Sequence, residues 1–197
     1  MDPNILYGNA PQPKGIFENF GSHIIDFIET LVVFGAIFAL IYLFVAQFHK
    51  VSGNSMFPTM HNGDYLITEK VSYKLNNPKK EDIIVLKNPK DESQDFIKRI
   101  IALPGDTVKI ENNKVFVNGG AKEETYLPPD TPTKGGTYLP TNGAPITMGV
   151  NQYFVIGDNR NHSSDSREWG PITKEEIVGK AFFRYWPLQS MGLLQNL

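Results

Sequence analysis

The sequence predicts a mainly β domain carried behind one membrane-spanning helix. Two textures in the chain predict this, and the break between them is sharp. From Thr30 to Phe48 run 19 residues without a charge, most of them Leu, Ile, Val, Phe and Ala. Beyond residue 50 the apolar residues come in short runs rich in Val, Ile, Tyr and Phe, separated by Gly, Pro, Asn and Asp. That is the pattern of strands and turns. A third observation agrees with the second. After residue 50 only Thr173-Lys-Glu-Glu-Ile177 reads as helical, with Thr173 as N-cap and Glu176 three residues on.

Taken in order, residues 1–22 carry Pro3, Pro11, Pro13, Gly8, Gly15 and Gly21 and read as a flexible tail. Residues 23–49 read as the membrane helix, since about 20 apolar residues cross a hydrocarbon core. A cleavable signal peptide is the competing reading. It normally has a basic start and a shorter apolar stretch, whereas this run follows Asp26 and Glu29. Lys14 before the span and Lys50 after it leave the orientation undecided.

Residues 50–197 read as the β domain. Asp64-Tyr-Leu-Ile-Thr-Glu69, Asp82-Ile-Ile-Val-Leu-Lys87, Phe96–Leu103, Tyr153–Ile156 and Val178–Trp186 are its strands. Thr107–Glu111 and Lys114–Asn118, joined by Asn112-Asn113, predict a hairpin. Residues 119–149 are rich in Gly, Pro and Thr, and Thr-Tyr-Leu-Pro occurs there twice. They read as a long surface excursion, mobile in character, within an accessory part at about 112–150.

Composition limits the chemistry. The chain has 197 residues, 41% of them hydrophobic, so it has the apolar residues for a packed core. A net charge of −2 gives no reason to expect nucleic acid as a partner. With no cysteine, thiolate catalysis, disulfides and cysteine-held metals are excluded. The four histidines, His23, His49, His61 and His162, form no metal-ligand spacing, so neither a metal nor another cofactor is expected.

Three stretches carry candidate chemistry. Ser52-Gly-Asn-Ser-Met-Phe-Pro-Thr59 holds Ser55 between Gly53, which is free to adopt positive φ, and Pro58, whose φ is fixed. Read without chemistry, it is an ordinary turn after a membrane helix. A nucleophilic serine needs a base, and no histidine here has a recognisable partner pattern. A lysine is the other route. If 96–101 is a strand, Lys98 shares a face with Phe96 and Ile100, while Arg99 falls with Ile97 and Ile101. Apolar neighbours lower a lysine pKa. Reaching about 8 costs roughly 3 kcal/mol of ammonium stabilisation. The alternative is that Lys98 keeps its ammonium in water at a sheet edge. The third stretch, Gly157-Asp-Asn-Arg-Asn-His-Ser-Ser-Asp-Ser-Arg167, is either a set of Asx and Ser turns or a cross-bonded loop that presents a hydroxyl.

Together with Gly63-Asp-Tyr-Leu-Ile67 and Lys98-Arg-Ile-Ile-Ala-Leu-Pro-Gly-Asp106, these stretches closely resemble the motifs of type I signal peptidases. Those are membrane-bound Ser–Lys proteases that remove signal peptides from exported proteins. The motifs stand in the family's order behind an N-terminal span, as in the single-span Gram-positive-like members. The resemblance covers about residues 24–187.

It implies a signal-peptidase-like domain of coiled antiparallel sheets and a set of roles. Ser55 resembles the nucleophile, Lys98 the general base and Ser163 the hydroxyl that orients the base. Arg99, Asp158, Arg160, Asp165 and Arg167 match the polar residues that brace the site. Val51, Met56, Phe96 and Ile97 fall where the family lines shallow pockets for small residues. Gly53 is a departure, because some members carry there a serine that donates to the oxyanion. The implied partners are signal peptides of exported preproteins and membrane lipid. The implied location is the cell membrane, with the N-terminus cytoplasmic and the β domain outside. Two other classes remain open: a self-cleaving repressor-like Ser–Lys protease, and a non-catalytic membrane-tethered β module.

Overall fold

The computed structural model describes residues 16–194. The chain divides into two compact units between Tyr42 and Leu43. Among the described residues the first consists of the helix α1, Ile16–Phe44, whose last two residues belong to the second unit. Its stretch His23–Phe44 has a mean hydropathy of 2.4 over 22 residues. At 1.5 Å per residue that is about 33 Å, long enough to cross a bilayer core of about 30 Å.

The helix is offset from the expected 23–49. It includes residues 16–22, read above as tail, while residues 1–15 lie outside the described residues. At its other end it stops five residues early. Ala46–Lys50 form a strand, β1, paired antiparallel with β2, Tyr65–Glu69, in the register Ala46↔Glu69 to Lys50↔Tyr65. An uncharged run does not by itself distinguish helix from strand. Here cross-strand pairing takes the last part of it.

The second unit is the β domain. Its remaining strands are β3 (Ile83–Asn88), β4 (Asp91–Ala102), β5 (Thr107–Glu111), β6 (Lys114–Val117), β7 (Gly120–Ala121), β8 (Ile146–Thr147), β9 (Gln152–Ile156), β10 (Ile172–Thr173), β11 (Ile177–Trp186) and β12 (Gly192–Leu193). Two one-turn helices, α2 (Ser72–Leu75) and α3 (Ser166–Trp169), lie between them. The larger sheet has the order β1-β2-β11-β3-β4-β9-β10, with β12 on β11. The smaller has the order β7-β6-β5-β8. All the named strand pairs are antiparallel.

The expected hairpin is present. Asn112 and Asn113 both take positive φ, 50° and 61°, as a two-residue turn between twisted strands requires. The expected helical turn at 173 is a 3-10 turn, Lys174–Glu176, with the Thr173 N–H donating to the Glu176 carboxylate at 2.6 Å.

β3 is buried on both faces, which explains its unbroken Ile83-Ile-Val-Leu86. Ile83 and Val85 pack with Val51, Met56, Met60 and Leu66. Ile84 and Leu86 pack with Ile100, Tyr153 and Val155. A third cluster joins Ile101 and Phe154 to Val108, Ile110 and Val115 of the small sheet. The excursion contributes Leu139 and Met148 to it. Residues 119–149 are therefore tied down by buried side chains, although regular structure within them is short.

Candidate active site

The segment after β1 is held by its neighbours on three sides. Val51 N–H donates to Asp64 O at 2.8 Å, and Gly63 N–H returns a bond to Val51 O at 2.9 Å. Gly53 lies at φ 98°, where a side chain would be strained, and its N–H donates to Asn62 Oδ1 at 3.0 Å. Buried Met56 and Met60 anchor the turn that follows. From the opposite loop, Asn159 donates its backbone N–H to Ser55 O and its side-chain amide to Asn54 O, each at 3.0 Å. Ser55 is thereby fixed in position while its side chain stays half-buried.

Lys98 approaches from β4. It pairs with Ile84 of β3 and is only 2% exposed. Its Nζ lies 3.0 Å from Ser55 Oγ, donates to Ile97 O at 2.9 Å, and sits 4.8 Å from the centre of the Phe96 ring. The shared face with Phe96 expected from strand alternation is realised, and the water-exposed alternative is not. Burial pushes the Lys98 pKa down to about 8, and Arg167 also lowers it, against the raising influence of Asp165 and Asp158. A neutral amine at this distance can take a proton from the hydroxyl.

Ser55 and Lys98 open onto a cleft of about 310 Å³. Val51, Gly53, Met56, Phe96 and Ile97 line it, as the resemblance implies. His49, Val85 and Asp95 line it too, which the sequence reading missed. Its walls are the 51–55 segment on one side and 95–98 on the other. An extended peptide fits between two such edges.

Two buried, forked ion pairs lie beside the site. Arg99 donates to Asp158 through Nε at 2.9 Å and Nη2 at 2.7 Å, with both side chains about 2% exposed or less. Arg167 holds Asp165 in the same way, at 2.7 and 2.8 Å. Asp165 in turn accepts the Gly157 N–H at 3.1 Å.

Residues 24–186 match the family described as signal peptidase, peptidase S26. The chain belongs to that family. It is 40% identical over 159 residues to the "Probable signal peptidase I-2" of Synechocystis sp., covering 78% of this chain and 69% of that one. It is 35% identical over 195 residues to the "Signal peptidase I" of Leptolyngbya laminosa, covering 94% and 88%. It is 36% identical over 173 residues to the "Signal peptidase I P" of Bacillus subtilis subsp. natto, covering 86% and 92%. The protein is thus a hydrolase of the signal peptidase family, a serine peptidase.

Other expected residues of this signal peptidase sit less simply. Ser163 is beside the site, but its buried hydroxyl makes no hydrogen bond among the described residues, to Lys98 or to any other group. It packs against Gly157, where an added Cβ would land on the Ser163 hydroxyl and the Ser55 carbonyl. Arg160 leaves its own loop and forks onto Glu124 of the excursion at 2.8 and 2.6 Å, with Thr133 as a third partner. Tyr126 lies flat on the Arg99 guanidinium, 3.9 Å from ring centre to Cζ. Thr59 donates its hydroxyl to Asp158 at 2.5 Å. None of Glu124, Tyr126, Thr133 or Thr59 stood out in the sequence. The only available signal was the demand of a second buried arginine, Arg160, for a carboxylate.

Proposed function

We propose that this signal peptidase acts as a membrane-bound serine endopeptidase that removes N-terminal signal peptides from exported preproteins with a Ser–Lys dyad. The observation that supports this reading best is the buried Lys98 amine, 3.0 Å from the Ser55 hydroxyl and with its pKa near 8. In this scheme Lys98 takes the Ser55 proton as Oγ attacks the scissile carbonyl. The Ser55 backbone N–H donates to the oxygen that becomes negative. The Lys98 ammonium then passes the proton to the departing amine, and the same lysine later activates the water that releases the acyl group. The resemblance gives Ser163 the part of orienting the amine, which requires its hydroxyl to turn toward Lys98 Nζ, a bond it does not make among the described residues. Val51, Met56, Phe96 and Ile97 receive the small side chains before the cut, and Arg99, Asp158, Arg160, Asp165 and Arg167 keep the loops in register.

The helix anchors residues 50–197 at the outer face of the cell membrane, against lipid, with the N-terminus cytoplasmic. Lysine supplies the base, so the scheme calls on neither a metal nor another cofactor, and nucleic acid has no part in it. Full-length protein in lipid vesicles, given an exported preprotein, should release the mature chain with its new N-terminus following a small residue. Failure to cut any of a panel of preproteins would overturn this reading.

Acid should silence the enzyme before it unfolds it. Below pH 8 the amine binds the proton it needs to accept, so kcat/KM should fall about tenfold per pH unit, and it should level off above 8. Phe96→Asp puts a carboxylate beside the amine, favours the ammonium and should move that limb up by about one pH unit or more. A pH profile on one peptide substrate checks both. An unmoved limb in a folded Phe96→Asp variant would mean that Lys98 is not the titrating base.

A further inference from the structure

We infer that Asn159 is a positioning residue for the oxyanion donor: its side-chain amide holds the Asn54–Ser55 peptide from behind and so aims the Ser55 N–H. The inference rests on the reading of Ser55 as nucleophile given above. A peptide group is planar, with its C=O and N–H pointing opposite ways. Whatever fixes the carbonyl of residue 54 therefore fixes the direction of the N–H of residue 55. Asn54 O accepts from Asn159 Nδ2 at 3.0 Å and from Phe57 N–H at 3.1 Å. Two donors on the carbonyl also polarise the peptide and make its N–H the stronger donor.

The next peptide is pinned by the same residue, since Asn159 N–H donates to Ser55 O at 3.0 Å. Asn159 is itself immobilised. It follows Asp158, which is locked to Arg99 and Thr59. The Ser55 N–H makes no hydrogen bond among the described residues. No alternative donor is offered at position 53: Gly53 has no side chain, and its N–H is already taken by Asn62. An amide is needed at 159 because a carboxylate of the same shape has no proton to donate to a carbonyl.

The test uses full-length protein with Asn159→Ala and Asn159→Leu. Both remove the donor without adding charge, and they differ in bulk, so the smaller serves if the larger does not fit. Each is compared with wild type for kcat, KM and the pH limb, and for affinity to two peptides: a substrate-derived aldehyde and the product signal peptide. The aldehyde adds to Ser55 Oγ: the Oγ–C bond forms, the C=O π bond opens onto the aldehyde oxygen, and the hydroxyl proton passes to Lys98 Nζ, so that oxygen carries the charge that needs the oxyanion donor. The product peptide needs only the cleft. Losing a whole donor costs about 100- to 1000-fold, so misaiming one should cost about 10- to 100-fold. That loss should appear in kcat and in aldehyde affinity alike. KM and product affinity should stay within about twofold, and the limb should not move.

Equal losses of aldehyde and product affinity would make Asn159 merely structural and overturn the inference. So would a kcat within about twofold of wild type. Ser55→Ala, run alongside, separates the two levels. Full turnover there overturns the Ser55 assignment itself, whereas an inactive Ser55→Ala with an unchanged Asn159→Ala overturns only the role given to Asn159.

Discussion

Ser55→Ala and Lys98→Met should each reduce preprotein processing by at least about 10⁴-fold, and the double variant should lose no more than either alone. The reason is that in the proposed scheme the two groups perform one act. With the amine 3.0 Å from the hydroxyl, either side chain without the other has nothing to exchange a proton with. Methionine is chosen at 98 because it fills the apolar slot against Phe96 without leaving a void. It also removes a buried cation. The Lys98→Met domain should therefore melt no lower than wild type, and somewhat higher below pH 8, where the wild-type site resists the ammonium. Single-turnover cleavage of a preprotein with thermal melts of each variant gives both results. Turnover by Lys98→Met within about tenfold of wild type would show that another group takes the proton.

Asp158→Ala should be the most damaging change to stability outside the apolar core. It leaves the Arg99 guanidinium, 2% exposed, without its carboxylate. Breaking one side of a buried pair costs about 3–5 kcal/mol. For a domain of this size that lowers Tm by roughly 6–20 °C. The surface pair Lys87–Asp95, 2.8 Å apart but with side chains 46% and 28% exposed, supplies the contrast. Lys87→Ala should cost less than about 1 kcal/mol. Replacing both buried partners, as in Arg99→Met with Asp158→Leu, should recover part of the loss, because no uncompensated charge remains. Recovery is incomplete because Arg99 also donates to Glu81 O and Thr59 Oγ1. Equal melting temperatures for Asp158→Ala and Lys87→Ala would contradict the assignment of a dry pair.

The contrast also shows what a sequence carries and what it hides. Alternation along Phe96–Ile101 was enough to put Lys98 on one face with Phe96, because strand period is a local property, but it left open whether the ammonium stays in water. The Asn112-Asn113 turn was legible for the same reason. The end of α1 was not legible: Ala46–Phe48 are uncharged whether they sit in lipid or on β2, and only the pairing with Tyr65–Glu69 decides. Nor was the grip of Glu124 and Tyr126 on Arg160 and Arg99. Those contacts span 36 residues in one case and a folded sheet in the other, and no spacing rule connects them. The excursion read as loose because its composition is that of a loop. What ties it down is a few buried groups, Leu127, Thr133, Leu139 and Met148.

The place of β11 in the larger sheet bears on when the enzyme comes into being. Residues 177–186 follow β1–β10 in the chain, yet they lie between β2 and β3. β2 extends the segment that carries Ser55, and β3 is the neighbour of the strand that carries Lys98. Until those ten residues have left the ribosome, the sheet lacks the strand that joins its two halves, and only side-chain packing and loop contacts link them. Synthesis therefore supplies Ser55 and Lys98 well before it supplies the strand that completes the sheet. In the proposed scheme the dyad gains its full support only once β11 is in place between β2 and β3.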